Sequence, residues 1–102
     1  MSAKKPPPLD GVEAIAKARW VWREGDVRPT QHFKRELDEA GATMLDVEHV
    51  LLKSCQFEGA EYDSKKKSWK YKVEGPDAEG ELLTIIFSID SEHSRLILIT
   101  TF

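Results

Sequence analysis

Residues 82–102 constrain the fold more than any other stretch. Leu82-Leu83-Thr84-Ile85-Ile86-Phe87-Ser88-Ile89 and Leu96-Ile97-Leu98-Ile99-Thr100-Thr101-Phe102 are two β-branched, apolar runs. Between them lies Asp90-Ser91-Glu92-His93-Ser94-Arg95, a polar link of hairpin length without helical periodicity. Both runs are apolar at alternate positions of either parity, which predicts strands covered on both faces, as in the middle of a sheet. Nothing else in the chain is as hydrophobic. The remaining sequence must supply neighbouring strands or the helices that cover them.

Upstream, helix signals come first. Asp10 followed by Glu13 has the spacing of a capping box, and Val12, Ile15, Ala16, Ala18 and Trp22 recur at helical spacing up to Gly25. Trp20 and Val21 lie off that stripe, so one of the paired tryptophans is expected to face a second neighbour or a groove. Residues 26–29 read as a connector. Thr30 caps a second helix over residues 31–40, ended by Gly41, with Phe33, Leu37 and Ala40 on its buried stripe. Thr43 and Asp46 open a third, short helix with Met44, Val47, Val50 and Leu51 inward. From Ser54 the period changes. Residues 56–62 form a weak strand, with Gly59 predicting a bulge or a bend. Lys65, Lys66 and Lys67 mark a turn. In residues 68–74, Trp69, Tyr71 and Val73 alternate with Lys70, Lys72 and Glu74. The expected class is therefore α+β: two to three N-terminal helices on one face of a four-stranded antiparallel sheet.

At 102 residues the chain has room for one core, expected over residues 10–102 behind a disordered proline- and lysine-rich lead-in over residues 1–9. A net charge of −3 excludes a uniformly basic nucleic-acid coat but leaves room for a local basic patch. Cys55 is the only cysteine, which rules out a disulfide framework and fits a reducing cytoplasm. No run approaches the roughly 18 apolar residues of a membrane helix, and no signal-peptide stretch opens the chain.

Most catalytic signatures are missing: no Gly-rich phosphate loop, no paired cysteines and no His-Glu-x-x-His motif. His32, His49 and His93 lie in different elements without metal-ligand spacing, so neither a metal nor a cofactor is expected. Cys55 reads as an inert, buried thiol. Three features remain. His32, at the start of a helix, is either a surface residue or a general acid or base. Lys65, Lys66, Lys67, Lys70 and Lys72 interleave with Trp69 and Tyr71, a combination that suits single-stranded RNA, although solvated lysines and core aromatics would give the same pattern. Thr100 and Thr101 end an apolar strand, where threonine is at home, yet a hydroxyl on a rigid sheet can also position a phosphate.

Thr30-Gln31-His32-Phe33, Leu37-Asp38-Glu39-Ala40-Gly41, Thr43-Met44-Leu45-Asp46-Val47-Glu48, Tyr62, Trp69-Lys70-Tyr71-Lys72-Val73-Glu74-Gly75 and Leu98-Ile99-Thr100-Thr101-Phe102 resemble a bacterial domain-of-unknown-function family. That family is related to the RelE and MqsR ribonuclease toxins of the Barnase/EndoU/colicin/RelE grouping, and the likeness runs from about residue 15 to residue 102. No single motif is diagnostic; the order of motifs carries it. The resemblance implies a RelE/MqsR-like fold and metal-independent RNA cleavage, in which the RNA's own 2′-hydroxyl is the nucleophile. It places His32, Lys70, Lys72 and Thr100 in the catalytic set. Tyr71, Trp69, Lys67 and Arg35 fall among the RNA contacts, with RNA and a cognate antitoxin protein as partners. The family pattern has arginines where this chain has Glu36 and Ala40. Glu36 lies one turn from His32 and can orient the imidazole, but it would repel a phosphate. Two functions are open: a small ribonuclease of a toxin–antitoxin pair, or a non-catalytic module on the same fold that binds protein or RNA.

Overall fold

A computed structural model describes residues 6–90, 92 and 94–102, so His93 and the first five residues of the lead-in lie outside the described residues. The chain runs α1 (Gly11–Glu24), β1 (Asp26–Pro29), α2 (Gln31–Glu39), α3 (Met44–Leu52), β2 (Gln56–Asp63), β3 (Ser68–Pro76), β4 (Leu82–Ile89) and β5 (Arg95–Thr101). The class is α+β, as expected. The sheet, however, has five strands in the order β1-β5-β4-β3-β2, and it is mixed: β1 pairs parallel with β5, while the other pairs are antiparallel. The expected four-stranded antiparallel sheet is corrected by the segment read as a connector. Asp26 to Pro29 pair with Arg95 to Leu98, residue for residue. Four residues ending in proline carry no alternation to read, and an edge strand is where the missing proline N–H does no harm.

The helices form where their caps lie. Asp10 accepts the Glu13 N–H at 2.8 Å, and the Thr30 hydroxyl accepts the Phe33 N–H at 3.1 Å. The Thr43 N–H donates to Asp46 at 2.8 Å. α2 stops at Gly41 (φ +69), where Ala42 bonds back to Leu37 and Gly41 to Asp38, each at 3.0 Å. This is the paired reverse bonding of a Schellman stop, which needs the left-handed conformation glycine adopts freely.

α1 has 14 residues, about 21 Å of helix, which matches the roughly 19 Å across four interstrand gaps. It touches β2 near its start and β1 and β5 near its end. Its buried side differs from the expected stripe. Ala14, Ala18 and Val21 are fully buried, Ile15 and Trp22 are partly buried, and Val12 and Ala16 are exposed. The reason is a second neighbour: α1 packs on both the sheet and α3. The Trp22 indole donates to Glu48 at 2.9 Å and the Arg19 guanidinium to the Leu51 carbonyl at 2.7 Å. Trp20 is left half-exposed. Ala40, expected on the buried stripe of α2, is the exposed C-cap.

The opening hairpin is central in the sheet: β4 and β5 each have a strand on both sides. Leu83, Ile85, Phe87, Leu96 and Leu98 join Tyr71 and Val73 beneath the helices in one core. On the opposite face Ile86, Ile97 and Ile99 are partly buried and Leu82 is largely exposed. The expectation of cover on both faces is thus corrected. Those isoleucines sit on the two central strands: Ile86 is paired with Lys72 of β3, whose long stem can cover it, and Ile97 and Ile99 lie on β5 between β4 and β1. No helix of the described residues is long and apolar enough to cross a membrane.

At Gly75 a Cβ would stand 2.3 Å from the Ser54 carbonyl oxygen and 3.1 Å from Cys55 Cα. Both are backbone atoms that cannot rotate away. Gly75→Ala is expected to cost about 1–3 kcal/mol, read as a fall of several degrees in the thermal midpoint. An unchanged midpoint would refute the close approach.

Candidate functional site

β1 covers the outer edge of β5 only as far as Leu98, and β5 runs on to Thr101. α2 takes over from there. The Thr30 N–H donates to the Leu98 carbonyl at 3.0 Å and its hydroxyl to the Ile99 carbonyl at 3.4 Å. The Thr101 N–H donates to Glu36 Oε1 at 3.3 Å. The same oxygen lies 3.0 Å from His32 Nε2, with the His32 side chain 57% exposed and that of Glu36 26% exposed. One carboxylate therefore holds the imidazole on one side and the end of a core strand on the other. The i, i+4 spacing predicted the first contact; the second was invisible in the sequence.

Thr100 pairs with Ile86 and Ile86 with Lys72, so these three share one row on the face without helices. β5 carries one extra residue here, Ile99, between the partners of Ile86 and Phe87. The two strand lysines already have neighbours: Lys72 Nζ lies 5.6 Å from the Phe102 ring centroid, and Lys70 Nζ lies 3.9 Å from Glu61. Arg35 is exposed on α2, beside Glu36 in the chain.

Toward the other end of the sheet, where β3 begins and β4 ends, lies a groove of about 570 Å³. Lys66, Lys67, Trp69, Lys70, Ile97 and Ile99 line it, together with Asp63, Asp90 and the segment around Pro6 and Pro7. Its two carboxylates serve the turns. Asp63 accepts the N–H groups of Lys65 and Lys66 at 3.0 and 3.1 Å, and Asp90 those of Ser94 and Arg95 at 2.9 and 3.0 Å. The Lys66 amide is the main cause that holds the Asp63 carboxyl below its usual range, against desolvation, with the Lys65 amide and the charges of Lys70 and Lys66 adding to it. For Asp90, desolvation pushes upward, but the Ser94 and Arg95 amides outweigh it and the carboxyl ends below its usual range. Lys67 has φ +53, the only positive φ at a non-glycine among the described residues.

The predicted site residues, catalytic and RNA-binding, separate on this map. Lys67, Trp69 and Lys70 meet at the groove, whereas Lys72 and Thr100 share the row beyond it and His32 stands with Glu36 at the end of β5. Of the two readings of Tyr71, RNA contact or core aromatic, its burial agrees with the core. Its side chain is 4% exposed, its ring lies between Phe57 and Phe87 at 6.5 and 5.7 Å, and its hydroxyl accepts the Leu9 N–H at 3.0 Å. Sharing a strand face with Val73 forces Tyr71 into the core. Trp69 is partly buried: its indole N–H donates to the Pro6 carbonyl at 2.7 Å and its ring meets Tyr62 edge-on at 5.3 Å. Sequence reasoning missed Asp63, Asp90 and the prolines. Only the aspartate before the lysine turn carried a readable signal, since aspartate commonly bonds to amides two residues on.

Other chemistry is sparse. Burial pushes the Cys55 thiol above its usual range, against the pull of Arg19, so little thiolate forms near neutral pH. His49 Nδ1 lies 3.0 Å from the Pro76 carbonyl oxygen. Among the described residues no three metal-ligating side chains come together.

Removing the shared carboxylate tests the junction at α2. Glu36→Ala leaves the partly buried Thr101 N–H without its acceptor and should cost about 1–3 kcal/mol in denaturant unfolding. Glu36→Gln keeps an oxygen there and should cost clearly less. Equal losses in the two variants would mean that the Thr101 bond contributes nothing.

Residues 30–102, from the N-cap of α2 through β5, match the family described as Domain of unknown function (DUF4258). No curated protein and no solved structure gives a significant match to the chain. The match takes in α2, α3 and the four antiparallel strands, including both His32 and the lysines of the groove, and the chain belongs to the DUF4258 family.

Proposed function

We propose that this chain is a single-stranded-RNA-binding domain of the toxin-like kind its motif order resembles, and that it acts through the groove at the head of β3. The observation that carries this is Lys67. Its backbone is left-handed (φ +53), a conformation that costs a side-chain-bearing residue about 1–2 kcal/mol and that glycine adopts freely. A lysine standing at a strained position on a groove wall suits a use of its charge. Lys66 and Lys70 lie beside it, and the Trp69 indole supplies an aromatic wall. Ammonium groups that meet phosphates next to an aromatic surface are the general recipe for binding a single strand without reading its sequence.

This reading makes stability and binding move in opposite directions. Lys67→Gly relieves the strain but loosens the unfolded chain, for a net gain of roughly 0.5–1 kcal/mol. The same change should weaken binding of labelled oligouridylate and flatten its salt dependence by about 0.7 in log–log slope, the value for one phosphate left unneutralised. Lys53→Gln, on the exposed end of α3, should leave the slope unchanged. Equal slopes for the wild type and Lys67→Gly would reject the groove as the RNA site.

A second reading, cleavage, is favoured by the shared carboxylate of Glu36. In a metal-independent ribonuclease of a toxin–antitoxin pair, with a cognate antitoxin protein as partner, His32 would take the proton from an RNA 2′-hydroxyl as that oxygen attacks the adjacent phosphorus. The 5′-oxygen then leaves and takes up a proton, giving a cyclic phosphate and a free 5′-hydroxyl. Glu36 would fix the ring, and Lys72 and Thr100 would meet the phosphate from their common row. Arg35, beside Glu36 on α2, would add a further cation for the RNA backbone. Cleavage of unstructured RNA in excess EDTA should fall about 10²–10⁴-fold in His32→Ala. Absence of any cleavage by the wild type removes this reading and leaves the binding one intact.

A further inference from the structure

We propose that the proline segment over residues 6–8 is an intramolecular strap on Trp69, and that it must lift before an RNA base can reach the indole; this rests on the RNA-binding reading above. Two bonds hold the segment at either end. The Pro6 carbonyl accepts the Trp69 indole N–H at 2.7 Å, and the Leu9 N–H donates to the Tyr71 hydroxyl at 3.0 Å. Pro6, Pro7 and Leu9 form one wall of the same groove whose other walls carry Lys66, Lys67 and Lys70. The chemistry of the segment suits the position. Consecutive prolines hold an extended helix with little entropy left to lose, and they have no N–H of their own to satisfy. Their carbonyls are therefore free acceptors, and an aromatic surface with one indole donor is the usual way a protein holds such a segment.

The strength of the contact also suits a gate. Leu9 is tied to the core and precedes the Asp10 cap of α1, so it stays in place when the prolines leave. Among the described residues, lifting residues 6–8 gives up the neutral hydrogen bond from the Trp69 indole to the Pro6 carbonyl. A single such bond shifts an equilibrium by roughly two- to tenfold, so the closed form is favoured without being locked. A ligand that needs the open form then binds more weakly by the fraction of time the strap is closed. The strap lies upstream of the residues that match the family.

The test replaces all three prolines by glycine in the full chain (P6G/P7G/P8G), which keeps every charge and leaves Asp10 in place. Two readouts are needed: the Trp69 indole N–H resonance, and the affinity for fluorescein-labelled oligouridylate. The strap predicts that the resonance moves while helix content by circular dichroism does not, and that affinity rises about two- to tenfold. Binding by the variant alone supports the gate as well. An unmoved resonance shows that the strap contact is absent and overturns the proposal. A moved resonance with unchanged or weaker binding makes the strap structural, which also overturns it. If neither protein binds the oligonucleotide, the gate falls together with the RNA-binding reading, and the resonance alone reports whether the strap exists.

Discussion

The outer edge of β5 is the constraint the rest of the structure answers to. A central strand with an unpaired edge presents a row of amides and carbonyls that must find partners or invite another chain. The chain closes this edge in two steps. β1 pairs with it from Arg95 to Leu98, and the start of α2 then stands in for a strand that is not there. Thr30 serves the Leu98 and Ile99 carbonyls, and Glu36 serves the Thr101 amide. This is why α2 begins immediately after Pro29 and why it lies along β5: the helix finishes the ladder. The short, proline-ended β1 then becomes the true edge, and Pro29 offers no N–H to a stranger.

That arrangement changes how Glu36 is understood. In the toxin-like pattern an arginine would occupy this place, one turn from the histidine. Arginine has only donors, so it could not take the Thr101 amide. An acceptor oxygen at residue 36 thus serves the fold at the point where the proposed phosphate chemistry would ask for a cation. The two demands conflict within one side chain, and here the sheet edge prevails. A His–Glu pair can still move protons, because a carboxylate that orients an imidazole is a common partner for a general base. Any phosphate brought to His32 would need its charge balanced by a group other than residue 36.

Local signals made the helices legible, and non-local ones hid the rest. Asp10, Thr30 and Thr43 placed three helix starts because a cap is satisfied within four residues. Gly59 announced its bulge, and the Trp69–Val73 alternation announced β3. β1 was missed because its partner lies some 70 positions away and four residues show no period. The inward turn of Val21 was missed because a helix between two neighbours buries more than one stripe. Tyr71 was legible as a strand residue but not as core, since an aromatic beside lysines reads equally as a ligand surface. The candidate site was half legible for the same reason. Lys67, Trp69 and Lys70 are close in sequence and meet at one groove, while His32 and Thr101 meet only through Glu36.

For the groove to take an anion as proposed, a chain of net charge −3 must offer a local field that its formal charge conceals. Three lysines and two aspartates line it, which by simple counting leaves little excess. Asp63 and Asp90, however, each hold a pair of backbone amides, and the positive ends of those dipoles offset part of each carboxylate's field. Lys66 and Lys70 in turn favour the charged form of Asp63, so the groove's charges of opposite sign act on one another as well as on any anion. Local field and formal charge therefore diverge. At physiological salt, charges separated by more than about 8 Å are largely screened. The acidic residues on the outer faces of the helices then matter less to a phosphate in the groove than the few groups that touch it. What decides attraction is the geometry of Asp63 and Asp90: turned into their own loops, they build the site without occupying it.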